Sequence, residues 1–226
     1  MTADALQKRT TTVILAAVMA VCLMVGVTLA YLHDETDKVS NKFTFINSSV
    51  TNQMTAVIQE QFDPTQALDL IPGDVVDKQV WIMNDSTADI EEWAALQVTY
   101  EALTGSAASP SAVPMTPAQI EKLLAVIEID WNVGSNLNQF EKESGVAANA
   151  NKVRYYYRTK LGKNERSTNL FSKVTIKKSA SNEDIAAVMA FAPNGINITL
   201  GGAVVQYQSL SYADAKTELN TYLPNI

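Results

Sequence analysis

Histidine and cysteine are almost absent from this chain of 226 residues, which contains one of each. Cys22 lies in an apolar N-terminal run, and His33 follows shortly after that run. Beyond residue 30 the absence of cysteine excludes disulfides, a thiol nucleophile and a thiolate zinc site. One histidine cannot supply the paired ligands of a zinc peptidase. Because His33 is the only histidine and lies shortly after the apolar run, no histidine base can be named to activate a serine in a folded core. We therefore expect no catalytic residues, no metal ligands and no cofactor.

Positive charge is also scarce. The chain has 17 lysine and arginine residues against 24 aspartate and glutamate residues, which gives a formal net charge of −7. No basic stripe interleaved with aromatic residues is present, and an acidic surface repels the phosphates of nucleic acid. Nucleic acid is therefore not an expected partner.

The first thirty residues have the composition of an export signal. A lysine and an arginine precede an apolar run over residues 13–30, and the run ends in small residues. A signal peptidase recognises this arrangement. We predict that residues 1–30 are a signal peptide, that cleavage falls between Ala30 and Tyr31, and that the protein is secreted. The run is also about long enough to cross a bilayer once, so a retained membrane anchor stays open as an alternative.

Beyond residue 38 the chain consists largely of short segments that predict β-strands. Apolar and polar residues alternate in several of them, as at Val39, Phe43 and Phe45, and others are rich in β-branched and aromatic residues. Residues 31–38 are polar and acidic and predict an extended arm. The predicted strands are residues 39–46, 78–83, 93–101, 129–131, 153–158, 170–176, 196–200 and 203–207.

Three segments predict helices instead. Thr116 stands three residues before Gln119, which is capping-box spacing, and a proline occupies the first helical position between them. Ser181 and Asp184 repeat the capping pattern. Residues 213–223 predict a terminal helix. Many short strands with inserted helices favour an all-β, antiparallel β-sandwich with helical insertions.

Two stretches do not fit this pattern clearly. Residues 47–61 fit a helix or an irregular strand equally well, and we leave the choice open. Residues 105–114, rich in serine, alanine and proline, predict a linker.

A series of short motifs follows the predicted cleavage site in a fixed order. Each motif is common by itself, but their order together with the leader junction is specific. The sequence thereby resembles the TasA/camelysin family of exported bacterial proteins, whose leaders are cut by a dedicated signal peptidase. The motifs lie at residues 28–34, 41–45, 71–74, 78–84, 155–161, 169–176 and 196–206.

The resemblance implies a jelly-roll-like sandwich that polymerises into biofilm-matrix or cell-surface fibres, the N-terminal arm of one subunit adding a strand to the next. Residues 31–40 are then the donor arm, and residues 41–226 form the sandwich domain. The implied partners are other copies of the chain, the signal peptidase and an accessory matrix or anchoring protein. Residues 85–93 depart from the family pattern, because they are acidic and more helix-like. The arm residues singled out are Tyr31, Leu32, His33, Asp34 and Val39.

Two other functions remain open. A monomeric adhesin or glycan-binding protein of the cell surface could use the three tyrosines at residues 155–157 as a stacking platform. A metallopeptidase has to be considered because some members of the family have been described as such. The densest acidic cluster, Asp34, Glu35 and Asp37, lacks a glycine-turned loop to gather its carboxylates around a cation. We therefore favour the structural fibre subunit over both.

We expect the secreted protein to begin at Tyr31, because Ala30 is the small residue best placed after the apolar run. N-terminal sequencing of protein recovered from the growth medium measures this directly. Secreted protein that retains the leader would contradict the prediction.

Overall fold

The computed structural model describes residues 41–45, 54–67, 69–207 and 210–223. The predicted signal peptide and donor arm, residues 1–40, lie outside this part of the chain. All described residues fall within one compact unit, residues 38–226.

The described residues form ten β-strands and three α-helices. The strands are β1 (Asn41–Phe45), β2 (Met54–Phe62), β3 (Val75–Asn84), β4 (Glu92–Ser106), β5 (Ser109–Pro114), β6 (Ile127–Trp131), β7 (Phe140–Lys142), β8 (Lys152–Tyr157), β9 (Phe171–Ile176) and β10 (Ile196–Gln206). The helices are α1 (Pro117–Val126), α2 (Asn182–Met189) and α3 (Tyr212–Tyr222).

The strands form two sheets. The first has the order β1-β2-β3-β9-β6, and the second has the order β10-β4-β8-β7, with β5 beside the far end of β4. Every pairing between these strands is antiparallel. The predicted all-β, antiparallel sandwich is therefore confirmed.

The main core lies between the inner faces of the two sheets. Ile58 and Ile82 of the first sheet are buried in the same apolar cluster as Leu96 and Val204 of the second. The sheets approach closely at Gly202, where a Cβ atom would lie 2.9 Å from Cδ1 of Ile58. This contact explains a glycine inside a strand.

A second, smaller cluster lies on the outer face of the second sheet, under α3. Ala95 and Ala203 of the sheet are buried with Leu219 of the helix. The indole nitrogen of Trp93 donates a hydrogen bond to the carbonyl of Leu210, 3.3 Å away, just before the helix begins. Small residues on the strands let the terminal helix lie close to the sheet.

Both predicted capping boxes are confirmed. The Thr116 side chain accepts a hydrogen bond from the Gln119 backbone N–H, and the Gln119 side chain accepts one from the Thr116 N–H. Ser181 and Asp184 do the same at the start of α2. These local signals fix helix starts without help from the rest of the fold.

The linker predicted at residues 105–114 is wrong, because these residues form the end of β4, a turn and β5. The register runs from Glu101 opposite Pro114 to Ser106 opposite Ser109. All six residues of β5 are exposed. A strand without a buried face shows no apolar alternation, so the sequence pattern could not reveal it.

Other segments also differ from their predictions. Residues 47–61, left open, include most of β2, in which Thr55 to Ile58 are buried on both faces and the period of two is lost. Of residues 85–93, expected to be helix-like, residues 85–91 form an irregular segment with bends and residues 92–93 begin β4. The two strands predicted over residues 196–207 are one continuous strand, β10, whose pairing with β4 runs unbroken through Gly201 and Gly202. The glycine that separated the two predictions is required by the close approach of the sheets.

Replacing Leu219 with alanine should loosen α3 from the sheet while the sandwich persists, because Leu219 belongs to the smaller cluster only. We expect a loss of about 2–3 kcal/mol in the free energy of docking the helix. Urea titration followed by Trp93 fluorescence and by circular dichroism measures it. Thr217→Ala, on the exposed side of the same helix, is the matched control and should change little. Equal effects of the two variants would contradict the assigned packing.

Candidate assembly interface

One side of the sandwich is closed by the chain itself. Strand β6 ends the first sheet, β7 ends the second, and the loop between them joins the two. The N–H of Phe140 bonds to the carbonyl of Asn132 at 3.0 Å, and the N–H of Gly134 bonds to the carbonyl of Phe140 at 2.9 Å. Arg158 holds the same loop through the carbonyl of Gly134, 2.7 Å from its Nε.

The opposite side of the sandwich is open within the described part of the chain. Strand β1 ends the first sheet there and pairs with β2, while β10 ends the second sheet and pairs with β4. Cα atoms of β1 and β10 come within 8 Å of each other. No described strand lies on the outer side of either one. Two sheet edges are thus brought together at one place.

The hydrogen-bonding pattern shows which residues of β10 face this opening. The Leu103 N–H bonds to the Gly195 carbonyl at one end, and the Tyr207 N–H bonds to the Glu91 carbonyl at the other. In an antiparallel ladder alternate residues bond to the same neighbour, so the odd-numbered residues of β10 face β4. The residues that direct backbone N–H and C=O groups outward are Ile198, Leu200, Gly202 and Val204.

A buried polar cluster connects β2, the turn after β3 and the start of β4. The Ser86 hydroxyl accepts a hydrogen bond from the Thr55 N–H at 3.0 Å and lies 2.6 Å from Oε1 of Glu92. The Asn84 side chain donates to the carbonyls of Ile90 and Leu161 at 2.7 and 3.0 Å. These side-chain hydrogen bonds fix the conformation of residues 85–91, a segment for which the sequence favoured a helix.

Glu92 is the titratable group of this cluster. Its side chain has 0% exposure, and its Oε2 has no hydrogen-bond partner among the described residues. Burial raises the pKa of Glu92 to about 7, while the hydrogen bond with Ser86 acts in the opposite direction. A carboxyl group of this kind changes its charge near neutral pH inside the fold. Sequence reasoning missed its burial, although a glutamate directly before the apolar residues 93–96 was a visible signal.

The three tyrosines at residues 155–157 do not form a binding platform, because all three are buried. Tyr155 and Tyr157 belong to the main core, as the alternation of a strand predicts. Tyr156 points to the opposite face of the strand and is buried there under α3, where its hydroxyl donates a hydrogen bond to Oδ1 of Asn220 at 2.5 Å.

The residues singled out from the sequence, from Ala30 to Val39, lie outside the described part of the chain. The structure therefore describes the two open sheet edges and not the predicted donor arm. The residues concerned are Ala30, Tyr31, Leu32, His33, Asp34 and Val39.

The donor atoms of this chain do not suit a zinc centre. The whole sequence supplies one histidine and one cysteine. Over the described ranges, no group of three or more histidine, cysteine, aspartate or glutamate residues is placed to hold a metal ion. The only described buried carboxyl groups, Glu60 and Glu92, are engaged with Lys78 and Ser86.

A helix that is long and apolar enough to span a membrane does not occur among the described residues.

Comparison with known proteins finds one family. Residues 5–109 match the model of a family described as camelysin metallo-endopeptidase, a range that extends through β4. The resemblance to the TasA/camelysin family is thereby confirmed. No curated protein and no solved structure matches the chain.

We expect Glu92→Gln to remove a pH dependence of stability. Between a pKa of 4.5 in the unfolded chain and about 7 in the fold, only the folded state keeps this proton. The free energy of unfolding therefore falls as the pH rises through that window and is constant above it. The difference between the two pKa values corresponds to a loss of about 3 kcal/mol in the free energy of unfolding.

Urea unfolding of both proteins at about pH 5 and about pH 8 tests this, because the background from other carboxylates cancels in the comparison. The variant should gain stability relative to the parent at the higher pH. If the two proteins differed in the free energy of unfolding by the same amount at both pH values, a raised pKa at Glu92 would be contradicted.

Proposed function

We propose that this chain, related to the camelysin family over residues 5–109, is a secreted structural subunit of biofilm-matrix or cell-surface fibres. It has no enzymatic role in this proposal. Subunits polymerise when the N-terminal arm of one copy adds a strand to the sandwich of the next.

The observation that carries the proposal is the difference between the two sides of the sandwich. The side at β6 and β7 is joined by backbone hydrogen bonds, whereas the side at β1 and β10 ends in two strands with unfilled edges in the described chain. An open strand edge is a template for pairing with another chain. Strand addition uses such an edge for affinity and side-chain pockets for specificity.

Chain order supports the choice of donor segment. Strand β1 begins at Asn41 and is paired with β2 of its own subunit. The proposed donor segment, residues 31–40, comes directly before this strand in the sequence. Residues from Asn41 onward serve their own sandwich and are not available for donation.

The energetics of strand addition are adequate for assembly. Each added backbone hydrogen bond contributes roughly 0.5–1.5 kcal/mol net, so a donated segment of about eight residues supplies several kcal/mol. That gain offsets part of the association cost, and apolar contacts add to it. A domain without disulfides also gains stability by covering its open edge.

The absence of an enzymatic role is supported by the side chains available. A zinc peptidase requires about three protein ligands and a base, commonly with two histidines one helical turn apart. The sequence contains one histidine, so that ligand set cannot be assembled from this chain.

Deleting residues 31–40 should leave a folded monomer that does not elongate, because the donor strand is missing. Circular dichroism checks the fold, sedimentation checks the monomer, and negative-stain electron microscopy checks for fibres. Fibres of normal length from the truncated protein would exclude the arm as donor and favour a monomeric adhesin.

Val39→Asp should weaken polymerisation with little change in the fold, because a charge would enter a pocket on the receiving subunit. Ser40→Asp is the matched control, since neighbouring residues of a strand point to opposite faces. Elongation rates followed by light scattering compare the two. Equal slowing by both variants would contradict an alternating, pocket-filling arm.

A further inference from the structure

The strands that end the two sheets differ in how well their edges are protected. Natural sheets protect an edge by keeping it short, by placing charged residues or proline on it, or by covering it. Within the described residues, the strands with an outer edge are β1, β5, β6, β7 and β10.

Strand β5 is protected by proline. The N–H of Met115 bonds to the carbonyl of Tyr100 at 3.0 Å, so Ser111 and Val113, which share its parity, face β4. Pro110 and Pro114 have the opposite parity and lie on the outer edge, where they provide no N–H. The outer edge of β5 therefore cannot support a regular ladder.

The short terminal strands are protected by length and charge. Strand β7 has three residues, of which two are charged, and its Glu141 forms ion pairs with Arg158 and Lys216 at 2.9 and 2.6 Å. Strand β6 has five residues and carries Glu128 and Asp130. Strand β1 also has five residues.

Within the described part of the chain, strand β10 shows none of these protections from Ile196 to Val205. It is eleven residues long, and its sequence contains neither a charged residue nor proline. The side chains at its outward-directed positions Ile198, Leu200 and Val204 are buried in the core, so they do not obstruct the edge. An edge this long and uncharged is the kind that pairs with another chain.

We infer that β10 is the edge that receives the donated strand, and that the partner is the N-terminal arm of a second copy of this chain. This inference rests on the proposed function and adds the place of attachment. The exposed side chains of Asn197 and Thr199 lie beside that edge on the outer face, where both contact the Glu101 carboxylate. An incoming strand is therefore flanked by apolar residues on its inner face and by polar ones outside.

Engineered disulfides test the assignment, because the protein beyond residue 30 contains no cysteine of its own. Thr199→Cys is combined with one cysteine in the arm, moved one position at a time from His33 to Val39. Each variant is assembled as the full secreted chain, oxidised mildly and separated on a non-reducing gel. For at least one arm position we expect the monomer band to be converted to a covalent ladder.

Ser111→Cys, combined with the same arm positions, is the matched control, because Ser111 is exposed on a strand whose outer edge is blocked by proline. It should give no ladder. Two results would overturn β10 as the acceptor if all variants still form fibres: no ladder from Thr199→Cys, or a ladder from Ser111→Cys. Either result would leave the fibre proposal standing. A parent protein that forms no fibres would overturn both.

Discussion

The backbone hydrogen bonds at the ends of the two sheets are the constraint on which the rest of this structure depends. A sandwich of two open sheets has two sides, and each side presents rows of N–H and C=O groups. Here the chain closes one side by running from β6 through a bonded loop into β7. On the other side β1 and β10 meet as terminal strands of the described chain. The two sides of the sandwich therefore differ in whether their sheet edges are joined, and the proposed assembly uses the side where they are not.

Stability without disulfides comes from burial and from local backbone closure. The core fills the space between the sheets, α3 covers part of the outer face, and capping boxes satisfy the starts of α1 and α2. The cluster around Glu92 has the opposite effect on stability, because it places a titratable carboxyl group in the interior. Its hydrogen bonds fix the turn between β3 and β4, but burying its charged form costs free energy. The cluster therefore fixes the conformation of the segment between β3 and β4 but lowers the free energy of unfolding near neutral pH.

The family match and the chemistry of the chain point in different directions. The matching family is described as a metallo-endopeptidase, yet this chain has one histidine and one cysteine in all. A fold can be shared while the activity depends on particular side chains. The features that distinguish this sandwich are its strand edges, and those are features of the backbone.

The sequence by itself determined the sandwich class, most of the strands and the starts of α1 and α2, because period-two alternation and capping residues act over a few neighbouring residues. Only the tertiary structure decided that residues 105–114 form a hairpin, that Tyr156 is covered by α3, and that Glu92 is enclosed by Ser86 and its neighbours. It also decided which strands end each sheet in the described part of the chain, β10 among them. The burial of Tyr156 and the enclosure of Ser86 and Glu92 involve segments far apart in the chain, and β5 has no buried face. None of these features therefore leaves a periodic pattern in the local sequence.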